Sequence, residues 1–288
     1  MNLVEVYQRF PSQDDCLDYL EKVRWKGTPA CPYCESTNST PAKKARRHHC
    51  NNCNTTYSVT VRTIFHRTHL PLQKWFLAIT LVLNARKGIS SRQLARDLDV
   101  NKDTAWYLGM RIRKAMFDNR ELLTGIVEMD ETFLGGKPRK GDPKGPGKRG
   151  RGTKRPSVFG MIERGGKVKA MHVKKPNIKA MHSLVRANID CSNSTLMTDE
   201  FGGFRYVSKY IDHKTINHKV WYVDGDIHTN TIESFWAILK RGITGQFHKV
   251  SLRYLSRYID EFCYRFNNRT NGHLFEQTIA RAVGGPDA

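Results

Sequence analysis

Hydrophobic positions recur along this chain with two periods, one helical and one strand-like, and the change between them falls near its middle. Behind Ser12, which can cap a helix, Cys16, Leu17, Leu20 and Val23 share one helical side. From Pro71 to Asp118 the spacing is helical again. Trp75, Phe76, Ile79 and Leu83 line a first helix that Gly88 breaks; Ser90 or Ser91 can open a short second one carrying Leu94, Ala95 and Leu98; Asn101 can cap a third. In that third helix Trp106, Met110 and Ile112 turn inward, which leaves Lys102, Thr104, Arg111 and Arg113 outside. Short helix, tight turn, helix is the helix-turn-helix arrangement, in which the later helix enters a DNA major groove.

Beyond Gly125 the pattern shortens. The stretches IVEMDETFL, SVFGMIER and KVKAMHV are rich in strand formers, and the turn Gly165-Gly166 joins the last two. NIKAMHSLVRANI is helical, STLMTD is a short buried strand, and FGGFRYV begins a further helical piece. In HTNTIESFWAILKRGI, Ile232, Phe235, Trp236, Leu239 and Ile243 form a broad apolar stripe, with Glu233 and Lys240 two turns apart beside it. Asn230 followed by Glu233 matches a capping box. From Ser251 a last long helix turns Leu252, Leu255, Tyr258, Ile259 and Phe262 to the core, and a tail follows. A meander succeeded by alternating helices and strands is the order of a ribonuclease H-like α/β domain. The predicted organisation is an N-terminal helix with a cysteine-rich segment (1–68), a helix-turn-helix domain (69–120) that would also use Arg92, and an α/β domain (121–288).

Charge adds a partner. The 48 Lys and Arg against 27 Asp and Glu leave a formal charge of +21 spread along the chain, which favours a polyanion through phosphate neutralisation and counterion release. The segment 137–156 holds nine basic residues and one acid among Gly and Pro; it cannot bury apolar area and reads as a mobile phosphate clamp, with Lys148, Arg149 and Arg151 as contacts. The longest apolar run, Trp75 to Leu83, is too short to span a bilayer, and no signal peptide is evident, so a cytoplasmic, nucleoid-associated protein with no membrane partner is expected.

Four of the seven cysteines fall in two CxxC pairs, Cys31 with Cys34 and Cys50 with Cys53. Two such turns pinch one tetrahedral ion; four thiolates select Zn²⁺ and leave no open position, so the zinc is structural. A redox CxxC is the competing reading. His48 and His49 adjoin Cys50 in a basic stretch read as a solvated loop.

Three carboxylates come from three separate elements of the α/β segment: Asp130 in or just after a strand, Asp199 ending another, Glu233 starting a helix. Strand ends and helix starts are where such sheets gather their sites. Carboxylates are the ligands that hold a pair of Mg²⁺ ions, and such a pair can stabilise both the attacking and the leaving oxygen of a phosphodiester. Glu128 shares strand parity with Asp130 and stays open as a helper. His228 is a candidate to orient the site.

RWKGTPACPYC through CNNC, YSVTVRTIFHRTHLPLQKWF and GISSRQLARDL, then MDETFLGGK, TDEFGGF and HTNTIESFWAILKRGITGQFHKVS, together resemble the zinc-ribbon insertion-sequence transposases with a DDE core, relatives of the Merlin elements. The likeness covers nearly the whole chain, in order. It implies a ribonuclease H-like (integrase-type) catalytic domain, binding of double-stranded DNA at terminal inverted repeats and at a target, and strand cleavage and transfer dependent on Mg²⁺ or Mn²⁺. By motif, Asp130, Asp199 and Glu233 would hold two such ions and Lys240 would be the accompanying basic residue. Some members carry Asn at the third acidic position, which makes Asn230 a second candidate. Water and then the freed 3′-hydroxyl would be the successive nucleophiles, and joining two DNA ends calls for a homodimer or larger assembly on DNA. Two rival expectations are a DNA-binding regulator with an inert C-terminal domain and a structure-selective nuclease of the same fold.

Overall fold

The computed structural model describes residues 1–42, 46–118, 121–135, 155–199, 202–215 and 228–284. The chain divides into two compact units: Met1–Met116 with Thr270–Ala288, and Phe117–Arg269.

In the first unit, helices α1 (Leu3–Arg9) and α2 (Gln13–Trp25) each begin with a capping box, Asn2 with Glu5 and Ser12 with Asp15. Cys16 and Leu20 of the predicted stripe are buried in α2. Strands β1 (Ser39–Ala42), β2 (Arg47–Cys50) and β3 (Thr55–Tyr57) form an antiparallel sheet, so His48 and His49 lie on a strand, not in the loop expected from their charge. Helices α3 (Leu72–Asn84), α4 (Ser91–Leu98) and α5 (Lys102–Ala115) follow the apolar stripes; Ser90 accepts from the Gln93 N–H at 3.2 Å and Asn101 from the Thr104 N–H at 2.7 Å, which closes the first turns of α4 and α5.

The last helix among the described residues, α9, spans Leu274–Val283, where only a tail of the α/β segment was expected. It belongs to the first unit because its apolar stripe is covered there. Phe275, Ile279, Ala282 and Val283 are buried, and the Phe275 ring lies 5.7 Å from that of Phe76 and 6.2 Å from that of Phe10. Arg281 donates to the Ala115 carbonyl at 3.0 Å, and Arg9 pairs with Glu276 at 2.8 Å.

The second unit is a five-stranded mixed sheet with helices. Its elements are β4 (Leu123–Phe133), β5 (Ser157–Glu163), β6 (Val168–His172), α6 (Ile178–Asn188), β7 (Ile189–Thr198), β8 (Asp212–Thr215), α7 (Asn230–Gly242) and α8 (Leu255–Asn267). The strand order is β6-β5-β4-β7-β8; β4, β5 and β6 form the expected antiparallel meander, turned by Gly165 at φ +76°, while β7 and β8 run parallel to β4. Alternation along β4 assigns the two faces. Val127 and Met129 join Phe159, Met161, Met181, Val185 and Leu196 in one core layer. Glu128 and Asp130 therefore point to the opposite face, where α7 lies across β4 and β5. The edge strand β8 is polar and carries no hydrophobic period. Leu252 is 53% exposed in a 3₁₀ turn before α8 and does not reach the core, contrary to its place in the apolar pattern. Among the described residues no helix is long and apolar enough to cross a membrane.

Candidate active site

Parallel pairing sets two of the three carboxylates side by side. Met129 of β4 is opposite Thr198 of β7, and Asp130 and Asp199 each follow directly on that pair. Neighbouring strands lie about 4.8 Å apart, so the two acids leave adjacent strands at one level. The Thr198 hydroxyl, buried beneath them, lies 2.8 Å from the Asp199 carbonyl and 2.9 Å from Nε2 of His213. Asp130 is half-buried, and its carboxyl is pushed up to about 6, chiefly by burial and further by the negative charges of Asp199 and Glu233; N–H donors from the Glu131 backbone and Trp236 act against that rise. Asp199 and Glu233 are thus each within electrostatic reach of Asp130.

Glu233 sits in the first turn of α7, exposed, and Lys240 is exposed two turns further on. The capping box expected of Asn230 and Glu233 does not form. Asn230 is already helical, its N–H lies 3.4 Å from Nδ1 of His228, and the Glu233 carboxylate meets the Thr229 hydroxyl at 3.5 Å instead. Asn230 itself is exposed.

Trp236, Gly160 and Arg164 carried no sequence signal for their part in this face, while Glu128 and His228, the helper and the orienting candidate, lie on it. Trp236 donates its indole N–H to Asp130 Oδ2 at 3.0 Å. Gly160, opposite Asp130 on β5, lets the ring approach: a Cβ there would come within 2.5 Å of the Trp236 ring and 2.9 Å of Ile232. Glu128, wholly buried, accepts from the Thr231 N–H at 2.8 Å, the Ile232 N–H at 3.0 Å, the Thr231 hydroxyl at 2.9 Å and Arg164 Nε at 2.8 Å. His228 Nδ1 lies 3.2 Å from the same carboxylate. Arg164 further donates to the His228 carbonyl at 3.0 Å.

The second candidate centre is in the first unit. The sulfurs of Cys31 and Cys53 are 3.6 Å apart, those of Cys34 and Cys50 3.5 Å, and all four fall within 4.8 Å of one another. A tetrahedral zinc with bonds of about 2.3 Å requires sulfurs about 3.8 Å apart, so the four thiols fit that ion. The Cys50 thiol is drawn down, first by the Cys53 N–H, while that of its neighbour Cys34 is pushed up to about 12, by desolvation and by the sulfurs of Cys50, Cys53 and Cys31. His48 is no ligand; its ring stacks on Tyr57 at 5.5 Å and meets Trp25 edge-on at 5.1 Å. Among the described residues these cysteines are the one group of three or more His, Cys, Asp or Glu whose ligand atoms come that close. The three acids are more widely spaced.

The expected DNA-contacting residues divide. Arg92 and Lys102 are exposed, Lys102 with its ammonium 3.4 Å from Asp103, and Thr104 is half-buried. Arg111 is turned to the protein, donating to the carbonyls of His66 at 2.9 Å and Thr63 at 3.2 Å and to the Tyr107 hydroxyl at 2.9 Å. Arg113 is 3% exposed, folded back against Gly109 and Met110 on the buried side of α5, which takes it off the outer face predicted for it. Lys148, Arg149 and Arg151, with most of the basic segment 137–156, lie outside the described residues.

Residues 122–267, half of the chain, match the ISXO2-like transposase domain. The chain belongs to that transposase family. Residues 11–56 match the transposase zinc-ribbon domain, over the segment that gathers the four thiols. A relative from Halobacterium salinarum, an uncharacterized protein in transposable element ISH50, is 29% identical over 276 residues, covering 89% of this chain and 91% of its own. A Mos1 strand transfer complex and a pre-cleavage Mos1 transpososome each align with 72% of the chain and with 74% and 78% of theirs, at 12% and 13% identity and a TM-score of 0.29. A superposition that loose fixes no correspondence between residues.

Proposed function

We propose that this chain is a DNA transposase whose second unit is a ribonuclease H-like domain that cuts and joins DNA strands at Asp130, Asp199 and Glu233. The sheet order, three antiparallel strands extended by two parallel ones, supports that fold. The observation that carries the activity is the juxtaposition of Asp130 and Asp199 on paired parallel strands with Glu233 in electrostatic reach. An all-oxygen donor set whose charges repel one another fits a hard divalent cation. Two Mg²⁺ or Mn²⁺ ions held there would supply Lewis-acid stabilisation to the attacking and leaving oxygens of an in-line displacement.

The chain's own residues have separate tasks in this reading. Trp236 fixes the Asp130 carboxylate and shields it from water on the α7 side. Lys240, exposed beyond Glu233, faces a DNA phosphate. The zinc ribbon and the helix-turn-helix of α4 and α5, through Arg92, Lys102 and Thr104, bind the terminal inverted repeat, and the active form is a dimer or larger assembly on DNA. The test is nicking of terminal-repeat duplex in Mg²⁺ or Mn²⁺ and joining to a supplied target duplex. Asp130→Ala and Asp199→Ala should abolish both while DNA binding persists. Undiminished nicking in the two variants would discard the assignment. Cutting with no joined product would favour a nuclease, and binding with neither a regulator.

A further inference from the structure

We infer that Glu128 is a positioning residue, which clamps the first turn of α7 from β4 and so sets Glu233 against Asp130. This rests on the metal-binding reading of the three acids. A helix start leaves N–H groups without intrahelical partners, and α7 has no side-chain cap of its own: Thr229, at its N-cap, makes none. Glu128 takes that role from a residue about a hundred positions away. Its Oε2 receives the N–H groups of Thr231 and Ile232, the two residues before Glu233, and its Oε1 receives the Thr231 hydroxyl and Arg164.

Two facts separate this role from that of a further metal ligand. Four hydrogen bonds and the neighbouring His228 fill the roughly four lone-pair sites of a carboxylate, and Glu128 is wholly buried, so no oxygen is left for a cation. Moreover, Glu128 and Asp130 leave β4 on the same face and each holds α7, one at its first turn and the other through Trp236. Those two anchors, one turn apart, fix both the axial position and the rotation of the helix that presents Glu233. Arg164 completes the clamp by tying Glu128 to the backbone just before the helix, at the His228 carbonyl.

The experiment is a Mn²⁺ titration of the full-length, zinc-loaded protein, with free Mn²⁺ read by electron paramagnetic resonance, alongside a thermal melt and DNA binding. Asp130→Ala should remove the Mn²⁺ site. Glu128→Gln should weaken Mn²⁺ binding about tenfold or more, the loss typical when a group that orients a metal ligand is changed, with DNA binding retained. Thr231→Val removes one clamp contact and leaves the fold; about threefold weaker binding is expected, and this variant decides the matter should Glu128→Gln not fold. A lowered melting temperature with wild-type Mn²⁺ affinity in the folded variants would make Glu128 merely structural and overturn the inference. If Asp130→Ala leaves the titration unchanged, the metal-site reading falls and the inference with it.

Discussion

Replacing Asp130 by Asn should stabilise the protein before any divalent cation is added. The Asp130 carboxyl is raised from 3.8 to about 6 by burial and by Asp199 and Glu233. At about 1.4 kcal/mol per unit, that rise corresponds to roughly 3 kcal/mol against the charged form. Relaxation around a partly solvated side chain reduces the recoverable part to about 1–2 kcal/mol. Asn keeps an oxygen for the Trp236 N–H and sheds the charge. For a unit the size of Phe117–Arg269 the melting transition should rise by roughly 3–6 °C at pH 8. Because the folded state holds this proton more tightly than the unfolded chain, wild-type stability rises as pH falls through 6 toward 4, and the advantage of the variant should shrink over that window. Calorimetry of zinc-loaded protein at pH 8 and pH 4.5 gives both numbers. Mn²⁺ should then stabilise the wild type, by about 2.7 kcal/mol at a hundredfold excess over its dissociation constant, and not Asp130→Asn. No gain at pH 8, or an equal gain at both pH values, would refute the crowding of charge on which the site depends.

Gly160→Ala should destabilise the second unit by about 1–3 kcal/mol in urea unfolding, since the new methyl overlaps a buried indole ring; a change below about 0.5 kcal/mol would contradict that contact. Cys50→Ser should lower bound zinc, counted by inductively coupled plasma mass spectrometry, from one per chain toward none and weaken terminal-repeat binding, because three thiolates no longer close the tetrahedron. Phe275→Ala, which empties a site between Phe10 and Phe76, should cost about 3–5 kcal/mol in the first unit, seen as an earlier transition in denaturant.

Local rules made much of this fold legible. The caps at Ser12, Ser90 and Asn101, the apolar stripes behind them and the strand alternation around Asp130 are each written within a dozen residues, and each appears in the structure at that place. The four cysteines were equally readable, because a turn fixes the spacing within each pair. What was not legible depends on partners distant in sequence. Helix α9 joins the first unit because Phe275 finds Phe10 and Phe76, more than 190 residues earlier. Glu128 and Asp130 show the same type and parity along β4, yet one is consumed by the start of α7 and the other faces Asp199. The capping box at Asn230 does not form because the helix already includes that residue: the Glu233 N–H is taken by the Thr229 carbonyl and the Asn230 N–H points to His228. Arg113 looked like a surface cation because its neighbours in α5 are basic, and only the packed position of that turn reveals it as buried.

The central claim is that Asp130, Asp199 and Glu233 jointly hold divalent cations. Crystals of the zinc-loaded protein grown with Mn²⁺, measured on both sides of the manganese absorption edge, test it without recourse to activity. The account predicts manganese peaks within bonding distance of the Asp130 and Asp199 carboxylates and within reach of Glu233, and none at the cysteines. Manganese absent from the three acids, or bound elsewhere while they point apart, would contradict it.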